Sequence, residues 1–127
     1  SQIAEYLHEY RGEGIQHIAL YTEDIYRTVD ILKARNVPLQ DTIDTYYDLI
    51  DDRIDEHDEN IEELRKRRIL IDGGKEDGIL LQIFTDTVIG PIFFEIIHRK
   101  GNNGFGEGNF KALFESIELD QIRRGVI

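Results

Sequence analysis

Three short apolar runs in quick succession constrain the fold of this chain more than any other feature. They occupy residues 69–72, 79–85 and 92–99, and each has the length and β-branched composition of a strand. The breaks between them are Gly73-Gly74, Asp77-Gly78 and Gly90-Pro91, which are dipeptides typical of turns and loops. We therefore predict three consecutive strands in the second half of the chain.

The first half predicts one further strand and one helix. Residues 15–22 are apolar and β-branched and follow a glycine, which favours a strand with His17 and Tyr21 on one face. Thr22 is the predicted N-cap of a helix that ends near Asn36. Its apolar stripe consists of Ile25, Val29 and Leu32.

Two end helices and an acidic middle complete the predicted order. An amphipathic helix opens the chain and is expected to dock through Ile3, Tyr6, Leu7 and Tyr10. A C-terminal helix is expected to have Asn109 as its N-cap and Phe110, Leu113, Phe114 and Ile117 on one face. Residues 46–54 and 60–68 are predicted to be helical. Without the end helices the order is β-α-β-β-β, so residues 1–127 are expected to form one α+β module.

Charge is concentrated in residues 41–63, which contain eleven acidic residues and one basic residue, Arg53. An EF-hand calcium loop requires glycine at its sixth position, and no glycine occurs between Gly14 and Gly73. The acidic segment is therefore interpreted as a solvated helical face or a mobile loop.

Composition excludes several classes of function. The formal net charge of −11 disfavours binding to nucleic acid or to an anionic membrane. No apolar run is long enough to span a membrane. The absence of cysteine excludes thiolate metal sites and a cysteine nucleophile, and it suits the cytoplasm.

Glu95 and His17 are the strongest candidates for chemistry. Glu95 lies inside an apolar run, where an ionised carboxylate is costly unless it is paired or bound to a metal. His17 lies in the middle of a predicted strand. Together they suggest two of the three ligands of a 2-His-1-carboxylate iron site. A hydrogen-bonded core histidine at position 17 is the alternative interpretation.

Four segments, GIQHIAL (residues 14–20), LLQIFT (80–85), FFEIIHRKG (93–101) and GFGEGNFKALFESIE (104–118), closely resemble the C-terminal end of the 4-hydroxyphenylpyruvate dioxygenase family. This family belongs to the vicinal-oxygen-chelate group (glyoxalase, bleomycin-resistance and dioxygenase proteins). The resemblance implies a βαβββ module that packs with a second such module around a metal.

The resemblance also implies an activity. In this family of oxidoreductases, Fe(II) held by two histidines and one glutamate acts on 4-hydroxyphenylpyruvate and O2. The products are homogentisate and CO2, in tyrosine and phenylalanine catabolism. By resemblance, His17 and Glu95 are metal ligands, and Phe110 steers the reaction toward the aromatic carbon. The residues expected to line or close the substrate pocket are Gln82, Phe84, Phe105, Asn109, Phe110, Leu113 and Phe114.

One departure from the family pattern limits these expectations. The family's other histidine ligand comes from a preceding module of the same chain, which residues 1–127 do not include. The chain is therefore expected to be a C-terminal fragment that is inactive alone. It is also expected to pair with a second copy as a homodimer or higher oligomer. Two alternatives stay open. One is hydroxymandelate synthase, which resembles this family and uses the same substrate, although Phe110 argues for the dioxygenase. The other is a metal-free binding or dimerisation module on the same scaffold.

Overall fold

A computed structural model describes residues 2–126 of the chain. Within these residues, four strands and six helices follow one another along the chain. Their bounds are α1 (Gln2–Tyr10), β1 (His17–Tyr21), α2 (Ile25–Ala34), α3 (Thr45–Asp48), α4 (Ile50–Arg53), α5 (Ile61–Arg67), β2 (Leu70–Gly74), β3 (Gly78–Phe84), β4 (Phe93–Lys100) and α6 (Gly108–Arg123).

The strands of the described chain form one sheet in the order β1-β4-β3-β2. β1 runs parallel to β4, whereas β4 with β3 and β3 with β2 are antiparallel. The first strand therefore lies beside the last, which requires a long crossover that begins with α2. The predicted α+β fold, a βαβββ module with a helix at each end, is confirmed.

The two faces of the sheet differ in composition. Residues directly opposite each other in neighbouring strands share a face, and one face presents Ile71, Leu81 and Ile96 to a continuous apolar core. We call this the core face. The core also contains Ile25 and Val29 of α2, Leu64 of α5 and the acidic-segment residues Tyr46, Tyr47, Ile50 and Ile54. The opposite face borders an open cleft, and we call it the cleft face. It presents His17, Gln82, Phe84, Phe93 and Glu95.

The acidic segment is only partly the solvated region that was expected. Its carboxylates are mostly exposed, but they form ion pairs with the arginines at the end of α5. Arg65 contacts Asp48 at 2.9 Å, and Arg68 contacts Asp41 at 3.2 Å. Between these acids Tyr46, Tyr47, Ile50 and Ile54 are buried, so the segment belongs to the fold rather than to a mobile loop.

The predicted caps of two helices are wrong. α2 is capped by Asp24, whose side chain accepts a hydrogen bond from the Arg27 amide. Thr22 instead accepts one from the Asp24 amide. α6 begins at Gly108, so Asn109 lies inside the helix, where its side chain is buried.

The predicted packing of the end helices also needs correction. α6 buries Asn109, Ala112 and Ser116, whereas Phe110 and Phe114 are exposed. The small Ser116 permits close contact with α3, where the Thr45 hydroxyl donates to the Ser116 carbonyl at 2.6 Å. In α1, Ile3, Leu7 and Tyr10 are exposed rather than buried, and the Tyr6 side chain is outside the described residues. No helix within residues 2–126 is long and apolar enough to cross a membrane.

Candidate metal centre

The parallel pairing of β1 with β4 brings His17 and Glu95 together. In this register His17 lies opposite Phe93 and Ala19 lies opposite Glu95, so the two candidate ligands share a face two residues apart. The His17 Nε2 atom is 3.3 Å from Glu95 Oε1. The His17 side chain is 36% exposed and that of Glu95 is 3% exposed. The pair therefore forms a polar site at the boundary between the protein interior and solvent.

Aromatic side chains hold the His17 ring. It stacks on Phe93 with ring centroids 5.2 Å apart, and it contacts the edge of Phe84 at 6.4 Å. Its Nδ1 atom lies 3.2 Å from Gln16 Oε1. If Nδ1 carries the ring proton and donates it to Gln16 Oε1, Nε2 keeps a free lone pair. That arrangement suits a metal ligand, because Nε2 is the atom that faces Glu95.

Glu95 is a buried carboxyl group with specific polar partners. Burial raises its pKa, while the hydrogen bond from Gln82 and the neighbouring His17 lower it. The Gln82 Nε2 atom donates to Glu95 Oε2 at 2.9 Å. Oε2 is thus occupied by an amide, and Oε1 remains directed at His17.

The geometry of this pair fits two ligands of one metal ion. Neighbouring ligand atoms at about 2.1 Å from an ion, at right angles, lie about 3 Å from each other, close to the observed 3.3 Å. Imidazole and carboxylate are also the donors of the facial triad that binds non-haem Fe(II). No cluster of three or more potential His, Cys, Asp or Glu ligands occurs in the described part of the chain. A complete triad would need a donor from elsewhere.

An open cleft of about 550 Å³ adjoins the pair. This volume is in the range of small-molecule sites, and its walls combine apolar rings with few polar groups, as such sites usually do. A charged rim at Asp41, Arg68 and Glu107 borders it. The apolar walls come from Ile3, Leu70, Ile83, Phe84, Phe93, Phe105, Phe110 and Leu113.

The residues predicted to contact substrate fall into two groups. Those that line the cleft are Phe84, Phe105, Phe110 and Leu113. Gln82 and Asn109 are buried behind it, and Asn109 Nδ2 donates to Gln82 Oε1 at 2.7 Å. Phe114 is 63% exposed and is not among the residues that line the cleft. Phe110 is itself 78% exposed, so in this structure α6 borders the cleft without closing over it.

Sequence reasoning missed several residues that support the site. Phe93 stacks on His17, and Gln16 contacts its other nitrogen. Tyr46, in the acidic segment, donates to Asn109 at 2.6 Å. The sequence analysis predicted a helix over residues 46–54 within a solvated segment, and nothing in the sequence connected Tyr46 to Asn109, which lies 63 residues away.

Comparison with known proteins places the chain among named relatives. A scan against models of protein families finds no match. The chain is 68% identical over 128 residues to 4-hydroxyphenylpyruvate dioxygenase of Pseudomonas aeruginosa, and 67% identical over 128 residues to the protein named hemolysin VllY of Vibrio vulnificus. Each alignment covers the whole chain, but the chain spans only 36% of each relative.

A solved structure of a 4-hydroxymandelate synthase mutant from Streptomyces coelicolor shares the fold. The two superpose with a TM-score of 0.76 and 40% sequence identity. The match covers 95% of this chain and 34% of the solved one.

Proposed function

We propose that the chain is the C-terminal module of a non-haem Fe(II) dioxygenase, since its whole length is 60–68% identical to part of the 4-hydroxyphenylpyruvate dioxygenases. The reaction would convert 4-hydroxyphenylpyruvate and O2 to homogentisate and CO2 in tyrosine catabolism. The observation that carries this proposal is the 3.3 Å approach of His17 and Glu95 beside an aromatic cleft.

His17 and Glu95 would hold the metal, with a third ligand supplied from outside the described residues. An Fe(II) ion in such a triad supplies Lewis-acid and redox chemistry toward a 2-oxo acid and O2. Within this chain, Phe84 and Phe93 fix the His17 ring. The Gln82 amide keeps one oxygen of Glu95 occupied, so the other is free to bind the ion.

The cleft walls suit the aromatic ring of the substrate. Phe84, Phe105, Phe110 and Leu113 present apolar surface that would contact a phenyl group and exclude water from the reacting atoms once the cleft is covered. Phe110 is the residue we expect to steer the reaction toward the aromatic carbon. Its exposure in this structure requires another part of the enzyme, or a movement of α6, to complete the pocket.

A chimera tests the proposal directly. This chain would replace the matching region of the Pseudomonas aeruginosa dioxygenase, and we expect the purified chimera to form homogentisate. The variants His17→Ala and Glu95→Ala should remain folded by circular dichroism and lose turnover, because each lacks a metal ligand. The isolated 127-residue chain should form no homogentisate. A folded, iron-loaded chimera without activity, or an active His17→Ala variant, would contradict the assignment.

Hydroxymandelate synthase is the second candidate, favoured by the structural similarity to the Streptomyces coelicolor enzyme. The same substrate would then give hydroxymandelate. Product analysis of the chimera separates the two activities. We expect Phe110→Ile to divert part of the product from homogentisate to hydroxymandelate, and a product that stays entirely homogentisate would count against the steering role of Phe110.

Self-association and location belong to the same proposal. A single module leaves its apolar cleft open to solvent, so we expect the isolated chain to pair with a second copy across the cleft face. Light scattering after size-exclusion chromatography should give a mass above 14.8 kDa that rises with concentration. A mass equal to the monomer at all concentrations would refute this pairing.

We also propose a cytoplasmic location, which cell fractionation can test.

A further inference from the structure

A chain of hydrogen bonds runs through the protein from the acidic segment to the candidate metal centre. Its interior members, Tyr46, Asn109, Gln82 and Glu95, are all buried. Arg53, the basic residue of the acidic segment, begins the chain: its Nη2 donates to Tyr46 Oη at 3.1 Å. The steps from Tyr46 to Asn109, from Asn109 to Gln82, and from Gln82 to Glu95 measure 2.6, 2.7 and 2.9 Å.

In this chain of hydrogen bonds each side chain donates to the next, from Arg53 toward Glu95. The Tyr46 oxygen accepts from Arg53 and from the Ile71 amide, at 2.8 Å for the latter, so both of its lone pairs are used. Its one proton has two neighbouring acceptors, Asn109 Oδ1 at 2.6 Å and the Ile71 carbonyl at 3.0 Å. Arg53 already donates to that carbonyl at 3.0 Å. If the Tyr46 proton pointed to Ile71 instead, the Tyr46 and Asn109 oxygens would lie 2.6 Å apart with no proton between them, so the proton belongs to Asn109.

This direction determines how the two amide side chains are oriented. With its oxygen engaged by Tyr46, Asn109 must offer its NH2 group to Gln82. Gln82 in turn must turn its oxygen toward Asn109 and its NH2 group toward Glu95. The reverse orientation of Gln82 would bring its oxygen against the carboxylate and lose both bonds, which is costly at a buried position. Gly106, at a positive φ of 81°, permits this arrangement, since a Cβ there would collide with the Gln82 amide.

We propose that Tyr46 and Arg53 are positioning residues for Glu95, and that they act through Asn109 and Gln82 to keep one carboxylate oxygen occupied and the other directed at His17. The part of the proposal that concerns metal binding rests on the proposed function. The orientation of the amides does not. Burial raises the pKa of Tyr46 to about 12, so its hydroxyl keeps the proton that the chain requires. The acidic segment thereby gains a role in the site that its charge alone does not indicate.

A purely structural role for Tyr46 is the competing explanation. β2 is an edge strand, and Tyr46 and Arg53 satisfy the outward-facing N–H and C=O groups of Ile71. Loss of the hydroxyl would then disturb β2 alone. The two explanations differ in what happens at Gln82. Only the chain of hydrogen bonds transmits the loss of the Tyr46 hydroxyl through Asn109 to the Gln82 amide.

The neighbouring tyrosine provides a matched control. Tyr47 is as buried as Tyr46, at 1% exposed, and follows it directly in α3. Its hydroxyl has no hydrogen bond of normal geometry within the described residues, although Thr42 lies near it. Tyr46→Phe and Tyr47→Phe therefore remove the same hydroxyl oxygen from adjacent buried positions, and only the first of these hydroxyls belongs to the chain of hydrogen bonds.

Side-chain amide NMR of the metal-free 127-residue chain is the test. In Tyr46→Phe, we expect the NH2 signals of both Asn109 and Gln82 to shift and their exchange with water to accelerate by at least tenfold. Tyr47→Phe should leave them unchanged. Should Tyr46→Phe fail to fold, Arg53→Gln removes the first donor and should shift the same signals in the same direction. Unchanged Gln82 signals in a folded variant, with only the Ile71 amide shifted, would overturn the proposal.

Cobalt binding adds a second readout. If Glu95 is a ligand, the Kd of Co(II) followed by its visible absorption should rise about 10-fold to 100-fold in Tyr46→Phe, the range typical of residues that orient a metal ligand. It should not change in Tyr47→Phe. The Co(II) titrations use the chimera with the Pseudomonas aeruginosa dioxygenase, because the described residues contain no group of three or more potential ligands. A parent chimera that binds no Co(II) would count against the proposed function, while the NMR signals of the isolated chain would still decide whether the hydrogen bonds orient Gln82. Equal Co(II) affinity in Tyr46→Phe and wild type would overturn the positioning role.

Discussion

The two faces of the same four-stranded sheet are built from different chemistry. On the core face, Ile71, Leu81 and Ile96 pack against apolar residues of α2 and α5, and burial of such side chains is the main source of stability. On the cleft face, Glu95 and Gln82 are equally buried, but they are hydrogen-bonded to each other and lie beside an open cleft. The cleft face therefore places a hydrogen-bonded polar pair among apolar side chains such as Phe84 and Phe93. Substitutions on the two faces should change different properties of the protein.

The largest effect on stability is expected on the core face. Leu81 is fully buried in the core, so Leu81→Ala should lower the free energy of unfolding by about 2–5 kcal/mol through lost burial and a cavity. Urea denaturation measures this change. The Kd of Co(II) should stay the same wherever the variant is folded. A loss below about 1 kcal/mol would mean that the core face is not the main stabilising surface.

On the cleft face, Glu95→Gln should have the opposite profile. It removes a desolvated charge while keeping the side-chain shape, so the free energy of unfolding near neutral pH should not fall. The Kd of Co(II) should rise by at least tenfold, since a ligand is lost. Glu107→Gln, at an exposed carboxylate of the same cleft, is the control and should change neither quantity. A strongly destabilised Glu95→Gln variant would show that the charged form stabilises the metal-free fold.

The two faces should also respond oppositely to pH. Burial raises the pKa of Glu95 above its ordinary value of 4.5, so the metal-free chain should lose stability as pH rises from 4.5 through the raised pKa. Burial lowers the pKa of His98, on the core face, below 6.5. Its contribution is present above pH 6.5 and is lost as pH falls toward the lowered pKa.

Urea denaturation between pH 4 and 8 tests both signs. Glu95→Gln should flatten the curve on the side where pH rises above 4.5, and His98→Gln should flatten it where pH falls below 6.5. If Glu95→Gln leaves the pH dependence unchanged, burial is not what sets the charge state of that carboxyl group.

The smallest effect is expected on the exposed stripe of α6. Phe114 is largely exposed, so Phe114→Ser should change the free energy of unfolding by no more than about 0.5 kcal/mol. Thermal unfolding is the measurement, with Leu81→Ala as the reference for a buried position. A loss comparable to that of Leu81→Ala would mean that this stripe packs against protein in solution, as it would in a dimer.

The failures of prediction share a physical cause. Helical spacing correctly grouped Phe110, Leu113, Phe114 and Ile117 on α6, but it could not tell whether that group or another face meets the rest of the protein. Close packing of α6 against α3 requires small residues such as Ser116, so the aromatic side chains point outward. Asn109 has the composition of a cap, but its amide serves two buried partners instead. Local signals do not contain information about partners that are distant in the chain.

The amino-acid sequence by itself determined which segments form strands along the chain, the α+β class and the two side chains that are candidate metal ligands. Strand periodicity and an acid inside an apolar run are local features, and the cost of burying such an acid holds in any fold. Tertiary structure alone decided that β1 lies beside β4, which brings His17 to within 3.3 Å of Glu95. It also decided that Tyr46 reaches Asn109. Both contacts join residues more than 60 positions apart, and such pairings depend on how whole elements pack rather than on the residues adjacent in the chain.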